Sequence, residues 1–335
     1  MATAVRQPSV LHVNEAAFTA QRMIAEATRR GYAWHHLPKA APAQEWRGPT
    51  GQARRALIGA AWVARLRVLA RRHDIVHVHS ASTLAHSRLG APRYVLHCHG
   101  TDVRTAQYDP ARGGGIRAGL RDAEAVFYST PDLAEHVLAH RADAVYLPVP
   151  IDVDAIAPWA PVAGRPRVVF ASRWTPDKDS TTQLKVAAEL VAALGERAEV
   201  VGLDWGAHAA DAAALGVRLV PRGDHADYLA LLSGAHVVVG QAAGILAASE
   251  LEALAAGTPM VVPVPLPLYA AAPPPVLGGG IGGIGDAVAA VVASLAGSVS
   301  HDPATVRQWV RDHHGVAHAV DTVAAVHRAV VAARR

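Results

Sequence analysis

The sequence predicts an α/β protein of two doubly wound domains, and three observations predict it. Short valine-rich runs alternate with longer helical runs, the pattern of strands joined by crossover helices in a mostly parallel sheet. The alternation halts once, over residues 148–166, where five prolines fall without a period, and then restarts. The chain has 335 residues, 51% apolar and 18% charged, enough to fill two cores of ordinary size.

The elements come in order. Residues 10–13 read as a first buried strand, and a helical run over 16–30 comes next, with Asn14 placed as its N-cap and Gly31 as its stop. Strands are expected at 32–37, 74–79, 94–97, 125–128 and 144–147, and a basic helix over 52–72 after a proline-rich loop at 38–51. Beyond the linker, strands are expected at 167–171, 199–202, 217–220, 236–240 and 260–262. Helices are expected at 180–194, 285–295, 303–313 and 317–333. In such sheets ligands sit at the carboxyl ends of the strands, so residues just beyond a strand are the ones to inspect.

Composition narrows the function. No apolar run reaches the roughly 18 charge-free residues of a membrane span, and residues 1–6 lack the apolar core of a leader peptide. Cys98 is the only cysteine, so no intrachain disulfide is possible, which fits a cytoplasmic location. The net charge of +4 is too small to argue for nucleic acid and suits an anionic small molecule. Only Lys39, Lys178 and Lys185 occur, so the position of a lysine is informative.

The stretch 243–259 is the first candidate for a site. It runs from a strand into a short helix that starts near Gly244 and stops at Gly257. Free amides at that entry, around Gly244, Leu246, Ala247 and Ala248, attract phosphate. Glu252, two turns in, suits the hydroxyls at the other end of such a ligand. Arg173 and Lys178 come after the first strand of the second domain. They read either as a diphosphate cradle or as two solvated surface charges.

Two His-x-His pairs, His77 with His79 and His97 with His99, each point to one face of a strand. Facing pairs could bind zinc, but neither strand holds a cysteine or carboxylate to complete a typical set, so no metal site is expected. His77 and His97 are expected to pack in the core. His99, at a strand end before Gly100, Thr101 and Asp102, can reach a ligand. The glycine run 280–285 matches a dinucleotide fingerprint but comes after three prolines rather than a strand, so it reads as loop. The basic helix has no clean polar face; a solvated helix is the expected reading and a weak membrane-surface contact the other.

Together these motifs resemble the family 4 glycosyltransferases of GT-B fold. The resemblance rests on 74–79, on His99-Gly100-Thr101-Asp102, on 147–152, on Ser172-Arg173 with Lys178, and on 252–259. It implies two Rossmann-like domains facing across a cleft, an acceptor domain over 1–153 and a nucleotide-sugar domain over 154–315, with the last helix, 316–335, crossing back. It assigns the donor diphosphate to Arg173 and Lys178, the ribose to Glu252 and the donor sugar to His99. Asn14, Glu15 and Asp102 fall on the acceptor side. It implies transfer of a sugar from a nucleoside diphosphate to a hydroxyl or amine acceptor, with retention, without metal or other cofactor, and without nucleic acid. Two departures stand out. Gly244 takes the place of a family glutamate, and Asn14-Glu15-Ala16-Ala17 takes the place of a glycine pair. They keep a non-catalytic nucleotide-sugar-binding protein and a UDP-sugar epimerase of the same fold as alternatives.

Overall fold

The computed structural model describes residues 6–39, 48–278 and 282–335. The chain divides into two compact units, residues 1–150 with 316–335 and residues 151–315. The first contains β1 (Val10–Val13), α1 (Thr19–Arg29), β2 (Trp34–Leu37), α2 (Gly48–Ala70), β3 (Ile75–His79), α3 (Leu84–Gly90), β4 (Val95–Cys98), α4 (Thr101–Arg104), α5 (Gly113–Asp122), β5 (Ala125–Tyr128), α6 (Ala134–Leu138) and β6 (Val145–Tyr146). The second contains β7 (Arg167–Phe170), α7 (Ser180–Leu194), β8 (Glu199–Leu203), α8 (Ala209–Ala214), β9 (Arg218–Val220), α9 (His225–Ser233), β10 (Val237–Val239), α10 (Ala248–Ala256), β11 (Met260–Val261), α11 (Ile284–Leu295) and α12 (Pro303–His314). The last helix, α13 (Val316–Ala333), returns to the first unit.

Both sheets are parallel throughout, in the orders β2-β1-β3-β4-β5-β6 and β11-β10-β7-β8-β9. Each order reverses direction once, between β1 and β3 in the first unit and between β7 and β10 in the second. At such a switch the loops leaving the two strands diverge and open a crevice at the strands' carboxyl ends. The topology therefore selects the loops after β1, β3, β7 and β10 as the places to look for a site.

The period-2 alternation of the first sheet sorts its residues between two cores. Leu11, Val13, Val76, Val78, Leu96 and Cys98 face a cluster with Trp62 and Leu66 of α2. Val10, Ile75, Val95 and Phe127 face a second cluster with Met23 and Ala27 of α1 and Val320, Val323 and Ala324 of α13. By length and composition α13 could cross a membrane; here its apolar face closes that second core. Arg30 pins it, bonding Asp321 at 2.6 Å and the Ala317 carbonyl at 3.1 Å. In the second unit the β7, β8 and β10 valines pack with α7 and α11 around Phe170 and Trp174.

Helix α1 begins at Thr19, three residues later than the sequence suggests, and Asn14 does not cap it. Asn14, Ala17 and Phe18 all take positive φ, at 70°, 50° and 60°, so the chain loops before it can turn helical. Helix α2 starts earlier than expected, at Gly48, and ends at Ala70, so Arg71 and Arg72 lie beyond it. Gly280 and Ile281 of the glycine run lie outside the described residues, and Ile284 opens α11.

Candidate active site

In the second unit the donor-side candidates lie on the segments that leave β7 and β10, the two strands at the switch point. Arg173 lies just beyond β7. Its guanidinium pairs with Asp177 at 2.6 Å, bonds Thr175 at 3.1 Å and lies 5.6 Å from the centre of the Trp205 ring. Lys178 ends a short 3-10 turn over Pro176–Lys178, and its carbonyl accepts from the Ala242 amide at 3.2 Å. That bond ties the loop after β7 to the loop after β10.

Gly244 has φ 71°, a conformation that an L side chain adopts at a cost. Among the described residues, a Cβ there would meet nothing nearer than the Pro265 carbonyl at 4.0 Å, so the space in front is open. The helix does not begin at Gly244: α10 starts at Ala248, after three further loop residues. Two of the expected phosphate donors already have internal partners. The Leu246 amide donates to the Tyr269 hydroxyl at 3.0 Å, and the Ala247 amide to Glu250 at 2.9 Å. Glu250 is fully buried, and its carboxylate also accepts from the Gln241 amide, the Gln241 side chain and Ser249. Ala247 has no polar side chain to cap α10, so Glu250, three residues on, reaches back as half of a capping box. Ala248 opens the helix as its first residue. Glu252 is only 3% exposed, and His225 at the start of α9 bonds its Oε1 at 2.8 Å.

In the first unit the acceptor-side candidates are largely engaged with backbone. Asn14 donates from its amide to the His79 carbonyl at 2.9 Å, lacing the β1 loop to the end of β3. Glu15 turns inward and accepts from the amides of Ala16, Ala20 and Gln21 at 2.7, 3.1 and 2.9 Å. It supplies the N-terminal cap that the sequence assigns to Asn14, and burial pushes its carboxyl up from the usual range. Asp102 is buried and accepts from the amides of Ala81, His99, Gly100 and Val103. These two carboxylates hold the shape of their loops.

His99 leads into a layer of imidazoles on the sheet face that α13 covers. His12 Nδ1 lies 3.0 Å from His79 Nε2, His79 Nδ1 lies 3.0 Å from His99 Nε2, and His77 Nδ1 lies 3.1 Å from His327 Nε2. In register, His12 sits opposite His77 and His79 opposite His97. Burial lowers every one of these rings: His12, His77, His79 and His97 well below the usual range, His99 to about 4 with Asp102 partly opposing, and His327 to about 3. At neutral pH the layer is therefore uncharged.

Trp205, Arg222 and His225 escape the sequence reading. Trp205 and Arg222 lie just beyond the ends of β8 and β9, where the rule that selects Arg173 would have found them, whereas His225 opens α9. Trp205 is 40% exposed and carries the Arg222 guanidinium 4.3 Å from its ring centre. A Trp flanked by guanidinium groups stiffens the cationic rim of the crevice.

No protein-family model and no curated protein matches the sequence. Solved structures do match, and the fold is that of the GT-B glycosyltransferases. HepE of Anabaena, solved with UDP and glucose, superposes with a TM-score of 0.66 at 13% identity over 95% of this chain and 98% of its own. AviGT4, a glycosyltransferase involved in avilamycin A biosynthesis, gives 0.60 at 18% identity over 97% and 98%. TarM of S. aureus, solved with UDP, fondaparinux and α-GlcNAc-glycerol, gives 0.60 at 12% identity; the match covers 79% of this chain and 59% of that longer one.

Proposed function

We propose that this chain is a glycosyltransferase that moves a hexose-like sugar from a nucleoside diphosphate to a hydroxyl or amine acceptor. The observation that carries the reading is the Arg173–Lys178 pair at the switch point between β7 and β10, where an α/β sheet takes its ligand. The second unit holds the donor in this reading, and the first holds the acceptor. Two fixed cations there stabilise the charge that develops on the leaving diphosphate, so no dissociable divalent ion is needed at that point. Same-face attack, with the leaving phosphate taking the acceptor's proton, retains the anomeric configuration. His225 must yield Glu252 if that carboxylate is to bind ribose. Cytoplasmic donors fit the lone, buried Cys98. UDP in the solved HepE and TarM structures makes a uridine donor the first to try.

One observation favours a second reading, a nucleotide-sugar-binding protein without turnover. Gly244 offers no carboxylate to the sugar, and the Leu246 and Ala247 amides are already bonded. A panel of UDP-, GDP-, ADP- and dTDP-sugars separates the two. A donor that raises the melting temperature binds the native state. Release of free nucleoside diphosphate only when an acceptor is added supports transfer. Binding without release across a broad set of acceptors supports the second reading, and acceptor-free isomerisation of the sugar would mark an epimerase.

A further inference from the structure

We propose that His79, His97 and His99 form a binding site for one divalent transition-metal ion, with zinc the best fit. One ring nitrogen of each residue lies within 4.8 Å of the other two. The rings are close, with centroid separations of 4.1 Å for His97–His99, 5.2 Å for His79–His99 and 5.4 Å for His79–His97. Zinc–nitrogen bonds of about 2.0–2.1 Å place two ligands of a tetrahedral ion about 3.4 Å apart. His79 Nδ1 and His99 Nε2 already stand 3.0 Å apart, and a small opening of that pair would admit the ion.

A second observation points the same way. His97 is fully buried, and among the described residues neither of its ring nitrogens has a hydrogen-bond partner. A neutral imidazole carries one donor and one acceptor, and a core position that leaves both unmet favours an apolar residue. Leucine or phenylalanine would fill the position without that cost. Ligation turns one orphaned nitrogen into a bond. The surroundings suit the role as well. His12 Nδ1 meets His79 Nε2 at 3.0 Å, the outer hydrogen bond that orients a ligating imidazole. Asp102 holds a negative charge against the His99 and Gly100 amides. Imidazoles without oxygen ligands favour zinc, copper, nickel or cobalt over magnesium or calcium.

A second trio, His12, His77 and His79, shares His79 but is buried at every member. His99 is half-buried just beyond β4, so the first trio has one member that solvent reaches. The ion belongs to the first unit, whereas Arg173 and Lys178 belong to the second. The inference meets the transferase reading at His99 alone, which the resemblance aims at the donor sugar, so it is tested by metal binding to the donor-free chain and not by turnover.

The test is titration of the chelator-treated full chain with Co2+ and Zn2+, read by calorimetry and by cobalt absorption. The expected result is one ion per chain, a cobalt spectrum of tetrahedral intensity, displacement by zinc, and a zinc-dependent rise in melting temperature. His97→Phe should weaken binding by at least about 100-fold, the upper end of the range for losing only an outer-shell partner of a ligand. His99→Ala, at the half-buried member, should do the same and keeps the test decisive if His97→Phe does not fold. Wild-type binding no tighter than that of either variant, or a weak octahedral cobalt spectrum only, would overturn the proposal and leave the three rings as a hydrogen-bonded stack.

Discussion

Arg173 and Lys178 act on one diphosphate in the proposed reaction, and their sequence neighbours decide how. Asp177 and Trp205 hold the guanidinium ready, so it needs little ordering when a ligand arrives. Arg173→Ala and Lys178→Ala should each lower turnover by about 100-fold or more, the range for losing a group that meets developing charge. The double variant should fall short of the product of the two, because both residues serve the same group. Single-turnover rates with the best donor, with unchanged melting temperatures, are the measurement; full additivity would separate the two residues. Arg173 stands out in the sequence because it lies just beyond a strand, and Lys178 because lysine is scarce. Glu15 and Asp102 are harder to read, for a related reason. A carboxylate at a strand end looks the same in sequence whether it meets a substrate or the loop's own amides. Only the fold of the loop distinguishes them.

The loops at the two switch points show how an element is completed by residues beyond its own ends. The strands are visible as apolar runs, and α7 can be bounded from its pattern. Short helices such as α4 and α6, with four and five residues, are too brief to show a period. The late start of α1 is hidden because positive φ at Asn14, Ala17 and Phe18 leaves no mark in non-glycine residues. The start of α10 is hidden because its N-cap, Ala247, carries no capping side chain; the cap is Glu250. Glu250→Gln puts an amide donor against the donors that the carboxylate now accepts. The loss expected is about 1–3 kcal/mol of stability, and more for Glu250→Ala, which leaves those donors unmet. Urea unfolding monitored by circular dichroism reads this directly. A Gln variant as stable as the parent would mean that Glu250 does not hold the turn into α10.

For the molecule as a whole, the buried imidazole layer sets how stability depends on pH. His12, His77, His79, His97, His99 and His327 all have folded-state values below those of the unfolded chain, where histidine titrates near about 6.5. Below that pH the unfolded chain binds protons that the folded chain refuses. Stability is thus complete above about pH 6.5 and falls as pH drops, by up to about 1.4 kcal/mol per pH unit for each ring. Six rings give up to about 8 kcal/mol per pH unit, comparable with the whole stability of an ordinary domain. Ion-free protein should unfold cooperatively between about pH 6 and pH 5, seen as a steep fall in the urea midpoint. A midpoint flat across that range would show that these rings are protonated in the folded state. The two-unit plan itself is clear from the proline-rich break. The layer is only half visible, because the sequence shows the two His-x-His pairs but not the arrival of His12 and His327 beside them.

Glu15 can also be seen as a ligand. Its carboxylate occupies the first amides of α1, the place where a helix otherwise takes a free anion. Because it is tethered to the same loop, it competes at an effective concentration of at least about millimolar. A dissolved anion has to displace it to reach those amides. The loop over residues 14–17 has in this sense internalised its own anion.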